Sequence, residues 1–264
     1  MERPFFIAPR GRRCPGCPVR ACTVCSSLDP DQLAELDAVA SYRKLMAGQA
    51  FVLEDDDNMP VANVLSGQLK VSRALSDGRT QLMRLLRPGD FMPGGHITSG
   101  VTITALTASS LCVVPRHLLD ELARKHPALE KALRTELETE IADAQDHLMA
   151  LGRMTAVERV ANFFLRERTH AARLGENTDP FTLYLTRAEI ADYLGLTTET
   201  VSRVITRLKN AGLLRFEPGR IARANILDLD RLAALAGLPP PAREEQRRVT
   251  LSQLDGPGRI SRPS

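Results

Sequence analysis

Apolar positions along this chain change their period several times, and each change marks a different kind of element. Leu33, Leu36 and Val39 recur at helical spacing behind Asp29-Pro30, so residues 28–46 are predicted as a short helix with proline at its start. From Ala50 to about Val114 the runs shorten and alternate. Val61–Leu65 ends at Ser66-Gly67, Leu69–Leu75 at Ser76-Asp77-Gly78, and Gln81–Leu86 at Arg87-Pro88-Gly89-Asp90. Val101–Val114 adds further β-branched residues at strand spacing. Many short strands with glycine-rich corners predict a compact antiparallel barrel or sandwich of the jelly-roll kind.

Helical period returns after Pro115. Leu118, Leu119 and Leu122 mark a short helix that His126-Pro127 interrupts, and a long helix follows from about Pro127 to Leu151. Its apolar positions are Leu129, Leu133, Leu137, Ile141, Ala144, Leu148 and Leu151. Steps of three and four make a narrow seam on an otherwise polar helix, the pattern of a helix that pairs with a copy of itself. A homodimer joined through Leu137, Ile141, Ala144 and Leu148 is therefore expected. Glu136, Glu138, Glu140, Asp143 and Asp146 load the same helix with acid, and any of them beside the seam would weaken the pairing.

A second domain is predicted from Thr155, opening with a helix that carries Val157, Val160, Ala161, Phe163, Phe164 and Leu165. A polar stretch from about His170 to Pro180 precedes a short strand, Phe181–Leu185. The sharpest local signal is Thr186–Lys209. Thr186 and Glu189 form a capping box, Gly195 suits a tight turn, and Thr197 or Thr198 caps a second helix. Ile190, Tyr193 and Leu194 face inward, as do Val201, Val204, Ile205 and Leu208. Glu199, Thr200, Ser202, Arg203 and Thr206 are left outside, which describes a helix-turn-helix whose second helix is free for a major groove. Arg203 can donate two hydrogen bonds to guanine, Glu199 can accept from the amino group of cytosine, and Ser202 and Thr200 suit base-edge or phosphate contacts. The bland alternative is a surface Glu–Arg pair at i,i+4. Leu213–Phe216 and Ile221–Ile226, joined at Glu217-Pro218-Gly219-Arg220, read as a two-stranded wing, with Arg215, Arg220 and Arg223 available for phosphates.

The organisation is thus α+β. An arm (1–27) precedes a jelly-roll barrel (28–126), a dimerisation helix (127–152), a winged helix-turn-helix domain (153–238) and a tail (239–264) expected to be disordered. A composition of 43% hydrophobic and 25% charged residues is that of a soluble globular protein. No run of eighteen apolar residues is present and the first twenty residues do not resemble a secretion signal, so a cytoplasmic protein without membrane contact is expected. The net charge of +3 permits a polyanionic partner without requiring one. The five histidines are scattered, and neither a nucleophile elbow nor a phosphate-cradling loop is present, so no enzyme is expected.

Cysteine usage adds a separate chemistry. Cys14, Cys17, Cys22 and Cys25 lie within one short segment and Cys112 lies far away. An odd number without a secretion signal argues against a disulfide framework, whereas short spacings with Pro15-Gly16 as a turn suit a metal centre. Four local thiolates suit one zinc, and three local ones with Cys112 suit an iron–sulfur cluster. Redox thiols without metal remain a further reading, and Cys112 alone is equally at home as an inert core thiol.

Barrel, long helix and winged helix-turn-helix in this order resemble the Crp/Fnr superfamily of bacterial transcription regulators, over nearly everything from Cys14 to about Gly237. The segment Leu185-Thr186-Arg187 through Tyr193-Leu194-Gly195-Leu196-Thr197-Thr198-Glu199-Thr200-Val201-Ser202-Arg203 is similar to the recognition region of the oxygen-sensing Fnr branch. The resemblance implies a cyclic-nucleotide-binding-like barrel and a dimer whose Glu199, Ser202 and Arg203 read a TTGAT-type half-site in an inverted repeat of double-stranded DNA. It also implies recruitment of RNA polymerase when the dimer lies upstream of a promoter. Cys14-x2-Cys17-x7-Cys25 resembles an alphaproteobacterial variant of that branch's cluster motif, and Cys112 falls where the distant ligand does. A 4Fe–4S cluster on Cys14, Cys17, Cys25 and Cys112 is what the resemblance implies, with Cys22 spare or a substitute. Gly89-Asp90-Phe91-Met92-Pro93-Gly94-Gly95-His96 is followed by no arginine before Arg116, so a phosphate-holding cation is missing and no cyclic nucleotide is expected.

Overall fold

The computed structural model describes residues 14–51, 60–92, 101–174, 178–217 and 222–238 of the chain. The tail 239–264, the tip of the wing at 218–221 and the Pro93–His96 part of the corner segment lie outside the described residues.

Three short 3-10 turns, Cys14–Gly16, Arg20–Cys22 and Val24–Ser27, carry the arm onto helix α1 (Pro30–Val39). Asp29 caps α1 by accepting from the backbone N–H groups of Asp31 and Gln32, and Gln32 reaches back to the Asp29 N–H. The helix expected over 28–46 stops at Val39. Ser41–Leu45 is instead strand β1, antiparallel to strand β8 (Ser109–Val114), with Tyr42 opposite Cys112. Its buried Leu45 joins the barrel core, and the ladder to β8 outweighs helix propensity.

Strands β2 (Ala50–Phe51), β3 (Val61–Ser66), β4 (Leu69–Ala74), β5 (Thr80–Leu86), β6 (Phe91–Met92) and β7 (Val101–Ala105) complete two four-stranded antiparallel sheets, β1-β8-β3-β6 and β2-β7-β4-β5. Between them Phe51, Val64, Leu69, Leu86, Ile103 and Leu111 close the barrel core. Because side chains alternate along a strand, β8 serves two cores at once. Leu111 and Val113 enter the barrel, whereas Cys112 and Val114 face a second cluster shared with the arm, α1 and the helices that follow. Those helices are α2 (Arg116–Lys125) and α3 (Pro127–Arg153), separated at His126 because Pro127 can begin a helix but not continue one.

Along α3 only Leu129 and Ala150 are buried. Leu137, Ile141 and Leu148 are 44%, 58% and 67% exposed, and Ala144 is exposed beside them. Two of the acids on this helix face the chain's own body instead: Glu140 meets Arg84 of β5 at 2.6 Å, and Asp143 pairs with Arg166.

Helix α4 (Ala156–Arg173) opens with the Thr155–Glu158 capping box. Strand β9 (Phe181–Leu183) ends two residues before the expected Leu185. Helices α5 (Arg187–Leu194) and α6 (Thr198–Asn210) follow, then strands β10 (Leu214–Glu217) and β11 (Ala222–Ile226) and helix α7 (Leu229–Leu235). The wing is three-stranded rather than two-stranded, in the order β10-β11-β9. Helix α7, not among the elements expected from the sequence, adds Leu232 and Ala233 to a third core built on Phe164, Phe181, Ile190, Ile205 and Leu208. Leu82 and Leu85 of β5 belong to that same core, so the barrel and the C-terminal domain share buried surface.

Candidate nucleic-acid interface and cysteine cluster

Helix α5 starts where Thr186 Oγ1 accepts from the Glu189 N–H at 3.2 Å and Glu189 Oε2 accepts from the Thr186 N–H at 3.0 Å. Glu189 also meets Lys70 of β4 at 3.0 Å, a link to the barrel that local pattern could not reveal. Helix α5 ends at Gly195, whose φ of +61° lies in the left-handed region that a side chain disfavours. The cap of α6 is Thr197, which accepts from the Thr200 N–H at 3.1 Å.

Val201, Val204, Ile205 and Leu208 bury one side of α6. Helical periodicity then turns Glu199 and Arg203 outward, with side chains 78% and 71% exposed. The two approach to 3.7 Å, a loose i,i+4 pair in water that a nucleic-acid edge can replace at little cost. Ser202 and Thr200 are half-buried beside them and Thr206 is exposed. The Thr200 hydroxyl lies 2.9 Å from that of Thr197 and Thr206 Oγ1 donates to the Ser202 carbonyl, so both hydroxyls are engaged within the helix. Glu199, Ser202 and Arg203 therefore form one solvent-facing strip with both an acceptor and a multi-donor cation, the pairing needed to tell base edges apart.

The flanks carry further cations. Arg215 is exposed on β10, and Arg223 on β11 pairs with Glu217 at 3.4 Å, while Arg220 lies outside the described residues. Arg187 and Lys209 sit over the Phe216 ring, 5.9 and 6.0 Å from its centroid, and that ring meets Phe164 edge-on at 5.9 Å. Both cations were missed in the sequence. Only an aromatic between two helices reveals them as neighbours of the wing.

The predicted cysteine ligands divide by burial. Cys14, Cys25 and Cys112 are buried in one cluster with Val24, Leu28, Leu33 and Leu129. Cys14 is anchored by its N–H to Asp37 Oδ1 at 3.3 Å, and its Sγ lies 3.9 Å from the Tyr42 hydroxyl on β1, one strand from Cys112. Cys17 is half-buried and close enough that its charge would act on both Cys25 and Cys112. Cys22 is exposed and turned elsewhere, its Sγ donating to the Arg173 carbonyl at the end of α4 at 3.6 Å.

Burial pushes the Cys14 thiol up to about 12, with Asp37 adding to the effect. It also raises the Cys112 thiol, helped by Cys14, Cys25 and Cys17, and it raises that of Cys25. Thiolates in such surroundings need a cationic partner. Among the described residues no three or more His, Cys, Asp or Glu groups close on one point as the ligands of a single metal ion do. Cys14, Cys25 and Cys112 share the cluster on the outer face of β8.

The Gly89-Asp90 corner is internally satisfied in part: buried Asp90 accepts from the Arg87 N–H at 2.8 Å. Among the described residues no helix is long and apolar enough to cross a membrane.

Comparison with known proteins places both halves. Residues 42–126 match the cyclic nucleotide-binding domain and residues 158–235 the Crp-like helix-turn-helix domain. A probable transcriptional activator of Rhizobium leguminosarum bv. viciae is 36% identical over 229 residues, 86% of this chain and 95% of the relative. The transcriptional activator protein FnrL of Cereibacter sphaeroides is 36% identical over 230 residues, 85% of this chain and 92% of the relative. The solved structure of FixK2 from Bradyrhizobium japonicum superposes with a TM-score of 0.67 at 30% identity, covering 75% of this chain and 97% of that one.

Proposed function

The chain belongs to the Crp/Fnr family of transcription regulators, and from that premise we propose that it is an oxygen-responsive member which binds DNA as a homodimer. The family consists of regulators, not enzymes. In this reading each copy inserts α6 into a major groove, and Glu199, Ser202 and Arg203 read the two halves of a TTGAT-type inverted repeat, with Thr200 holding the helix start. The observation that carries it is the exposed Glu199–Arg203 strip on a helix whose opposite side is buried. Bound upstream of a promoter, the dimer would recruit RNA polymerase and switch on anaerobic or microaerobic genes.

Dimerisation is assigned to the uncovered seam of α3. Leu137, Ile141, Ala144 and Leu148 present exposed apolar surface among the described residues. Burying one such leucine or isoleucine contributes about 1.5–3 kcal/mol. Pairing brings two copies of α6 to neighbouring grooves about 34 Å apart. Arg84 and Arg166 neutralise Glu140 and Asp143, two acids that would otherwise oppose the approach of a second α3.

Cys14, Cys17, Cys25 and Cys112 fit a 4Fe–4S cluster as its ligands, while Cys22 is directed to α4 and is left out. Four soft thiol donors, three of them buried in one cluster, suit an iron–sulfur centre. When bound, the cluster supplies an oxygen-labile tie between arm and barrel. The arm's own packing makes such a tie matter for the dimer. Val24, Cys25 and Leu28 share one buried cluster with Leu129, so the seat of the arm is also the base of α3. An arm seated there holds α3 against the barrel, and an unseated arm uncovers Leu129. No cyclic nucleotide enters this scheme.

The test is anaerobic purification of the full chain followed by exposure to air. The expected result is a broad iron–sulfur absorption that disappears together with specific binding to the inverted repeat. A colourless protein that binds the repeat equally well in air overturns the sensing reading. A stoichiometric zinc would identify a regulator without oxygen sensing.

A further inference from the structure

Helices α3 and α4 are joined by Met154 and Thr155 alone. A two-residue joint leaves the C-terminal domain free to swivel unless something locks it. Beside the Asp143–Arg166 pair, one side chain bonds α3, the joint and α5 together. Arg159, near the start of α4, donates from Nη2 to the Leu151 carbonyl at 2.6 Å, from Nε to the Met154 carbonyl at 2.9 Å and from Nη1 to the Leu194 carbonyl at 3.0 Å. Leu151 belongs to the last turn of α3, Met154 to the joint and Leu194 to the last turn of α5. Two helix C-termini thus direct carbonyls lacking intrahelical partners at one guanidinium, where the helix dipoles also favour a cation.

Neighbouring contacts hold the same geometry. A Cβ added at Gly195 would lie 3.3 Å from Leu151 Cδ2 and 3.6 Å from Arg159 Nη1, so the turn of the helix-turn-helix is seated on the end of α3. One turn earlier, His147 of α3 stacks on Tyr193 of α5 with ring centroids 4.4 Å apart. The long helix, the joint and the helix that precedes the reading helix therefore meet around one planar fork.

We propose that Arg159 is a positioning residue that fixes the angle between the long helix and the reading helix, and thereby selects the spacing between the two halves of the DNA site. The inference rests on the dimeric reading of an inverted repeat proposed above. Each base pair inserted between half-sites moves one of them by about 3.4 Å and turns it by about a tenth of a helical turn. A locked joint cannot follow that displacement, whereas a loose one follows it at an entropic cost.

The experiment measures dissociation constants of the full chain, anaerobically, on duplexes with the optimal spacing and with one base pair added or removed. The unmutated protein is expected to lose about tenfold for either change, as from a mismatched site. Arg159→Ala should reduce that discrimination to about threefold and weaken the best site several-fold, while dimer mass and salt dependence stay unchanged because the Arg159 guanidinium is engaged by three backbone carbonyls. Arg159→Lys keeps the charge without the fork and should fall between the two. If circular dichroism shows Arg159→Ala unfolded, Arg159→Lys carries the comparison. A folded variant that keeps the original spacing ratio, whatever its absolute affinity, overturns the proposal. No preference of the unmutated chain for an inverted repeat over a scrambled duplex overturns the dimeric reading instead.

Discussion

In helix α6 each outward side chain takes its direction from residues within a turn or two of it, whereas in the cysteine arm the directions come from far along the chain. Thr197 caps α6, Val201 and Ile205 bury its inner side, and Glu199 and Arg203 can then only face outward. Cys14, by contrast, is held by Asp37 and Tyr42, and Cys112 reaches the same cluster because it alternates with Leu111 and Val113 on β8. The first arrangement survives as long as its own domain folds. The second exists only while arm, barrel and α3 are assembled.

Three experiments strain this contrast, beginning with the all-or-none one. Cys112→Ser should bring anaerobically assayed iron and sulfide to background, while Cys22→Ser, on the arm but turned toward Arg173, should retain both. The reverse pattern would mean that nearness in sequence, rather than the fold, selects the ligands. Next, the Glu199→Ala/Arg203→Ala pair should lower affinity for the specific repeat by about 1–3 kcal/mol per lost base contact, read by fluorescence anisotropy. Affinity for a scrambled duplex should change little and iron content not at all. An equal loss on both duplexes would reduce these residues to general electrostatics.

The smallest effect lies where arm and reader meet. His170 of α4 lines a cavity of about 300 Å³ with Pro18 and Val19 of the arm and Gln68 and Arg87 of the barrel. Burial first, then Arg87 and Arg173, lower its pKa from 6.5 to about 3. The folded state therefore keeps His170 neutral where the unfolded chain takes up a proton. Its contribution is complete above pH 6.5 and is lost progressively on acidification toward the folded value, by at most about 1.4 kcal/mol per pH unit. Urea midpoints at pH 7 and pH 5 should draw together in His170→Gln. An unchanged gap would locate the acid sensitivity elsewhere.

Much of the C-terminal half was legible because its determinants are local. The capping box at Thr186, the turn at Gly195 and the inner face of α6 are hydrogen-bonding and periodicity statements, and each is met in the fold. The errors fall where partners decide. Ser41–Leu45 reads as the continuation of a helix until β8 is beside it, and the wing gains β9, whose Leu183 pairs with Ala222 at the start of β11, far along the chain. Lys70 gives no hint of Glu189, nor Arg84 of Glu140.

Spacing of apolar residues and of capping side chains was enough to establish a barrel, a long helix and a helix-turn-helix with one exposed face, since those depend on geometry repeated every two to four residues. Which thiols meet, which acids on α3 are neutralised, and whether its apolar seam is covered depended on tertiary packing. Burial and charge pairing are set by segments that only folding brings together, and no local spacing encodes the distance between them.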